Sequence, residues 1–129
     1  MPEIVRDQNT NTRGLAIVER YEVFVLYLYP VLQAAPRRHG NARDGFMVAM
    51  FDQVALFHQA VKAGTPARLY AADANLATLR FWLRFAANPK VRIITPKHER
   101  AALRLLAEAG AMLGAWIANA KRKTGERGQ

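Results

Sequence analysis

Nine lysines and arginines fall between Lys62 and Arg104, at positions 62, 68, 80, 84, 90, 92, 97, 100 and 104, against only Asp73 and Glu99 in the same stretch. Lys97, Arg100 and Arg104 share one face of the first turns of a helix that Thr95-Pro96 opens as N-cap and first helical residue. A helix N-terminus already carries about half a positive charge. Cations stacked there are unfavourable unless an anion comes to them, and phosphate is the natural anion. Arg80 and Arg84 stand one helical turn apart, so their side chains can point the same way. Their planar guanidinium forks suit bidentate contact with phosphate or carboxylate. Asp73 cannot reach Arg80 easily within the helix, since two turns put them about 10 Å apart along the axis. Arg37 and Arg38 in the turn PRRHGN, and Arg68 at the start of the third helix, complete the candidate polyanion-binding set. Two alternatives stand beside it: a solvated basic rim and, for Arg80 and Arg84, an intersubunit salt bridge. Lys121, Arg122 and Lys123 differ, because cations at a helix C-terminus simply suit its dipole.

Other chemistries lack a pattern. Glu19 and Glu22 are spaced i, i+3, but the Glu-x-x-His pairs of a di-iron bundle do not occur. His39 falls in a loop, His58 in mid-helix and His98 in a first helical turn, none within a carboxylate pattern suited to acid–base work. The sequence contains neither Ser nor Cys, which removes those nucleophiles, disulfides and thiolate metal sites. Gly110 and Gly114 are embedded in a helix rather than in a phosphate loop. The expectation is no catalytic residue, no metal, no cofactor and no enzyme.

The elements that position the cations read as four helices, at about 14–35, 37–62, 66–87 and 96–121, with flexible ends at 1–13 and 122–129. In the first, Ile17, Tyr21, Phe24, Leu28 and Val31 form one apolar stripe and Val18, Val25, Tyr29 and Leu32 a second beside it. Pro30 removes a hydrogen bond to Leu26 and predicts a kink. The second carries Phe46, Met50, Val54, Phe57 and Val61, and Gly64 suits the left-handed position after it. The third has the seam Leu69, Ala72, Leu76, Leu79, Leu83 and Ala86. Its back carries Tyr70, Phe81 and Phe85, so it is apolar nearly all round and predicts a second cover, a neighbouring subunit or partner. The fourth has Leu103, Leu106, Gly110, Leu113 and Ile117, and the close approach of another helix backbone would explain Gly110 and Gly114. KVRIIT is strand-like but too short to change the class. The reading is all-α: one domain over 1–129, an up-down-up-down four-helix bundle.

The 129-residue chain has a net charge of +9 with 51% apolar and 22% charged residues. Such a balance suggests a polyanionic partner, nucleic acid or an anionic surface. No apolar run approaches the roughly 20 residues of a membrane span, and the polar N-terminus lacks a secretory h-region. A cytoplasmic protein without a membrane partner is expected.

Three segments, IVERYEVFVLYLYP (17–30), LYAADANLATLRFWLRF (69–85) and LLAEAGAMLGAWIANAKRK (105–123), closely resemble the accessory variability determinant of diversity-generating retroelements. The resemblance runs through nearly the whole chain in the same order and spacing. It implies a four-helix bundle, distantly similar to the bundle proteins encoded in 23S rRNA intervening sequences, assembled as a barrel-shaped homopentamer. It also implies a basic, non-catalytic protein that binds nucleic acid and the retroelement reverse transcriptase. With that enzyme it would support error-prone cDNA synthesis from the template-repeat RNA, the step of mutagenic retrohoming. Arg80 and Arg84 stand in the matching LRFWLR segment, which carries a partner-binding role onto them. Two function classes follow: a nucleic-acid- and polymerase-binding accessory protein, or an oligomeric helical scaffold with no nucleic-acid role.

Overall fold

The structure is a computed structural model; it describes the backbone of residues 2–127 and the side chains of residues 14–123. Its described residues form four helices and no strand: α1 (Pro2–Gln33), α2 (Gly40–Ala63), α3 (Pro66–Ala87) and α4 (Pro96–Arg127), with a 3-10 turn at Arg37–His39 leading into α2. Each helix packs on its sequence neighbours, α4 returns to α1, and the diagonal pairs do not meet. Cross-helix pairs give the directions. Gly14 abuts Val61 while the Tyr29 and Phe51 rings approach to 6.2 Å. Gln53 reaches Ala72 while Phe46 stacks on Trp82. Arg80 lies by Gly110 and Tyr70 under Lys121. Arg20 pairs with Glu108 while Tyr27 meets His98. All four contacts are antiparallel, so the chain runs up, down, up, down.

The core is built from one stripe per helix, as 3.6-residue periodicity requires. Ile17, Tyr21, Phe24 and Leu28 of α1 are buried, and so is the whole expected seam of α3, from Leu69 to Ala86. Elsewhere the buried stripe is displaced. Leu32 rather than Val31 is buried at the end of α1. In α2, Ala49, Gln53 and Ala60 join Phe46, Met50 and Phe57, while Val54 and Val61 are half-buried. In α4 the buried residues are Ala102, Leu106, Ala109, Leu113 and Trp116, so Leu103, Gly110 and Ile117 sit at the edge. The reason is close packing: small residues face inward where two helices approach, which turns larger neighbours to the flanks.

Gln53 is a fully buried polar side chain. Its Nε2 donates to the Ala72 carbonyl at 3.0 Å, and its Oε1 accepts from Asn75 Nδ2 at 2.9 Å. Asn75 Nδ2 also donates to the Ala49 carbonyl at 3.0 Å. Paired in this way, the two amides meet the requirement of buried polar groups and hold α2 and α3 in one register.

The first and last helices extend further towards the chain ends than the bounds near 14 and 121 read from the sequence. α1 starts at Pro2, whose missing N–H costs nothing at a first helical position, and α4 continues to Arg127. Met1, Gly128 and Gln129 lie outside the described residues. Gly64 takes the left-handed conformation, with φ 63°, and its N–H closes α2 on the Ala60 carbonyl. Thr65 precedes Pro66, but its side chain makes no cap. Thr95 does: its hydroxyl accepts from the His98 N–H at 3.1 Å. By length and composition Pro96–Lys123 could cross a bilayer; its apolar stripe is the one packed into the bundle.

Candidate nucleic-acid interface

The antiparallel order puts the α1–α2 and α3–α4 connections at one end of the bundle, which gathers cations from distant parts of the sequence. Arg37 and Arg38 are exposed in the 3-10 turn, Arg84 in the last turn of α3, and Lys97 and Arg100 in the first turns of α4, with Arg104 one turn further along. Lys90 and Arg92 join them from the connecting loop, also exposed. Asp44 and Glu99 are the acids here, and Asp44 is taken by Arg43 at 3.2 Å. Among the described residues the other ion pair is Arg20–Glu108, at 3.1 Å on the α1–α4 flank. Among the residues with described side chains the other acids are Glu19, Glu22, Asp52 and Asp73, and the last three lie level with one another near mid-bundle, because Tyr21 bonds the Met50 carbonyl and Gln53 the Ala72 carbonyl. Charge is thus segregated along the bundle axis, and the cations at this end are largely uncompensated.

The α3–α4 loop is held firmly. Asn88 Oδ1 accepts from the Lys90 N–H at 2.9 Å. The Asn88 carbonyl accepts from Val91 and Arg92, and the Ala86 carbonyl from Ile93 and Ile94. Ile93 and Ile94, the centre of the strand-like KVRIIT segment, are buried and plug the end of the core. Arg92 has a φ of 55°, a left-handed conformation rare for residues other than glycine. An open cavity of about 450 Å³ lies beneath this loop, between it and the end of α1.

Two of the expected cations stand apart. Arg68 is at the opposite end of the bundle, where it donates to Gln59 Oε1 at 2.9 Å. Arg80 is half-buried in the α3–α4 seam, over Gly110. A Cβ on Gly110 would come within 3.3 Å of the Arg80 guanidinium, whereas one on Gly114 would meet nothing. The glycine therefore faces a side chain, not the helix backbone expected from the sequence. Asp73 makes no ion pair with Arg80 or Arg84.

Phe81 and Phe85 are 50% and 36% exposed and stack at 5.9 Å, with Trp82 edge-on to both. Tyr70, 44% exposed, is not part of this cluster; Lys121 Nζ lies 5.5 Å above its ring at the far end of α3. A second apolar face lies across α1 and α2. Leu15, Val23, Leu26 and Tyr29 of α1 and Val48 and Phe51 of α2 are all exposed. Of the second stripe read along α1 only Tyr29 lies on this face; Val18 and Val25 are half-buried and Leu32 is buried. Among the described residues no three His, Cys, Asp or Glu gather as metal ligands.

Comparison with curated proteins returns no match. Residues 15–120, which span the packed part of all four helices, match the bAvd-like family, and the chain belongs to that family.

Proposed function

We propose that this protein is the accessory subunit of a diversity-generating retroelement, a non-catalytic homo-oligomer that binds the element's reverse transcriptase and template RNA and supports mutagenic cDNA synthesis in the cytoplasm. Family membership supports the accessory role. The observation that carries nucleic-acid binding is the gathering of uncompensated cations from three separate segments at one end of a bundle with a net charge of +9. Phosphates answer that charge, and no groove-reading motif accompanies it, so binding is electrostatic and tolerant of sequence. The exposed Phe81–Phe85 stack and the α1–α2 apolar face supply two different surfaces for subunit contacts. Such head-to-tail contacts close into rings when the rotation permits; five subunits is the family's number.

The test is RNA binding against salt. A protein that neutralises phosphates on single strands loses log K in proportion to log salt, by roughly 0.7 per phosphate. Replacing Arg37, Arg38, Lys97 and Arg100 by alanine reduces that slope and weakens co-purification with the reverse transcriptase. Binding that ignores salt would leave the scaffold reading, which the exposed aromatic face favours.

A further inference from the structure

The cavity beneath the α3–α4 loop has the size of a small-ligand pocket, about 450 Å³ and open on one side. Its walls are mostly apolar, from Val31 in the last turn of α1, Ala34 just after it and Ala87 of α3, with the pyrrolidine rings of Pro89 and Pro96 on the loop side. Three polar side chains also line it: Arg92, Thr95 and His98. Each is committed in a way that leaves a donor. Arg92 Nε donates to the Pro89 carbonyl at 3.1 Å, which steadies the guanidinium and leaves its terminal N–H groups. His98 Nδ1 accepts from the Thr95 N–H at 3.4 Å, so in the neutral ring the proton is on Nε2. The Thr95 hydroxyl oxygen accepts from the His98 N–H, and its own proton is left to donate.

Lys90 and Lys97 flank this loop, and Arg37, Arg38 and Arg100 stand at the same end of the bundle. An apolar cavity of this size with cations around it fits a flat apolar group carried on an anionic chain. Donor groups on its walls call for acceptors on the edge of that group. We infer that the cavity takes one unpaired nucleobase of bound RNA, a guanine or uracil whose carbonyl edge meets Arg92, Thr95 and His98, while the surrounding cations hold the flanking phosphates. The inference rests on the RNA-binding reading above. Arg92 fits it as well: a left-handed arginine is strained where glycine would be relaxed, and such strain persists at ligand sites.

The experiment uses fluorescence anisotropy with ten-nucleotide oligo-U and oligo-A probes on the full chain and on Ala34→Trp. Ala34 is an exposed wall residue, so the indole fills the cavity without entering the core. The wild type should prefer oligo-U. Ala34→Trp should lose about tenfold in oligo-U affinity, the scale of one lost base contact, abolish the preference, and keep the salt slope. A circular-dichroism melt checks that the variant is folded. In parallel, a 4-thiouridine probe should cross-link to residues 89–98 of the wild type. Unchanged oligo-U affinity in a folded Ala34→Trp, or cross-links confined to other segments, overturns the inference and leaves salt-dependent RNA binding standing. Loss of reverse-transcriptase binding with RNA binding intact also overturns it, since the occupant would then be a protein side chain. No salt-dependent binding by the wild type would sink the RNA reading itself, and this inference with it.

Discussion

The guanidinium of Arg80 lies over Gly110 of α4, its terminal nitrogen 3.3 Å from the point where a Cβ would stand. The absent side chain gives the arginine a seat in the α3–α4 seam, half-buried and without a carboxylate partner among the described residues. A mid-helix glycine costs about 1 kcal/mol against alanine, and the atom it would meet is the free end of a flexible chain. Gly110→Ala should therefore melt at or above the wild-type temperature while displacing Arg80. A clear loss of stability in denaturant melts would show that Arg80 cannot yield.

Arg80 and Arg84 together test the partner surface. The Arg80→Ala, Arg84→Ala double variant should keep its oligomer and melting temperature but bind RNA and reverse transcriptase more weakly. Dissociation into monomers would instead make the pair interface salt-bridge residues. Unchanged binding by an intact oligomer would show that the cationic end binds through its other residues, Arg37, Arg38, Lys97, Arg100 and Arg104, without the α3 pair.

Leu79 is fully buried at the centre of α3. Leu79→Ala leaves a cavity in a closely packed core and should cost about 2–5 kcal/mol. Equilibrium unfolding measures it; a loss under about 1 kcal/mol would place Leu79 outside the packed seam.

Phe81 and Phe85 present a stacked apolar pair to solvent in the isolated chain. Phe81→Lys with Phe85→Lys should shift sedimentation towards smaller species without unfolding the bundle, since neither ring belongs to the buried core. Unchanged sedimentation would assign subunit contacts to the α1–α2 face or elsewhere.

Tyr21 is buried between Phe24 and Phe57, and its hydroxyl donates to the Met50 carbonyl. Burial pushes its phenol well above the ordinary range. Below about pH 10 both native and unfolded chains keep this proton. Above it the unfolded chain releases the proton and the native chain cannot, so the unfolded state is favoured and stability falls as pH rises. Tyr21→Phe should lose about 1 kcal/mol at neutral pH with its hydrogen bond and show a flatter decline between about pH 10 and 12. Equal slopes in the two proteins would exclude Tyr21 as the alkaline trigger.

Helix number and the α3 seam were legible because periodicity and punctuation are local: Thr65-Pro66, Asn88-Pro89 and Thr95-Pro96 each mark a boundary without reference to the rest of the chain. The face that α4 buries was legible only in part: Leu106 and Leu113 are buried as expected, while Ala102, Ala109 and Trp116 replace Leu103, Gly110 and Ile117, which turns the buried face by about 60°. Only the neighbours decide it: α4 turns Ala102 and Ala109 inward where α1 and α3 come close.

The same division holds for the charge. That the chain is strongly basic, and that Arg80 and Arg84 share a face, followed from residue types and helical spacing alone. That Arg37 joins Arg84 and Lys97 at one end, while Arg68 lies at the other, depends on which helix ends meet, and the antiparallel packing of four helices settles that. The pocket under residues 89–96 had no signature in the sequence at all. Its walls come from α1, α3 and the loop, and a cavity is a property of surfaces brought together, which no single segment carries.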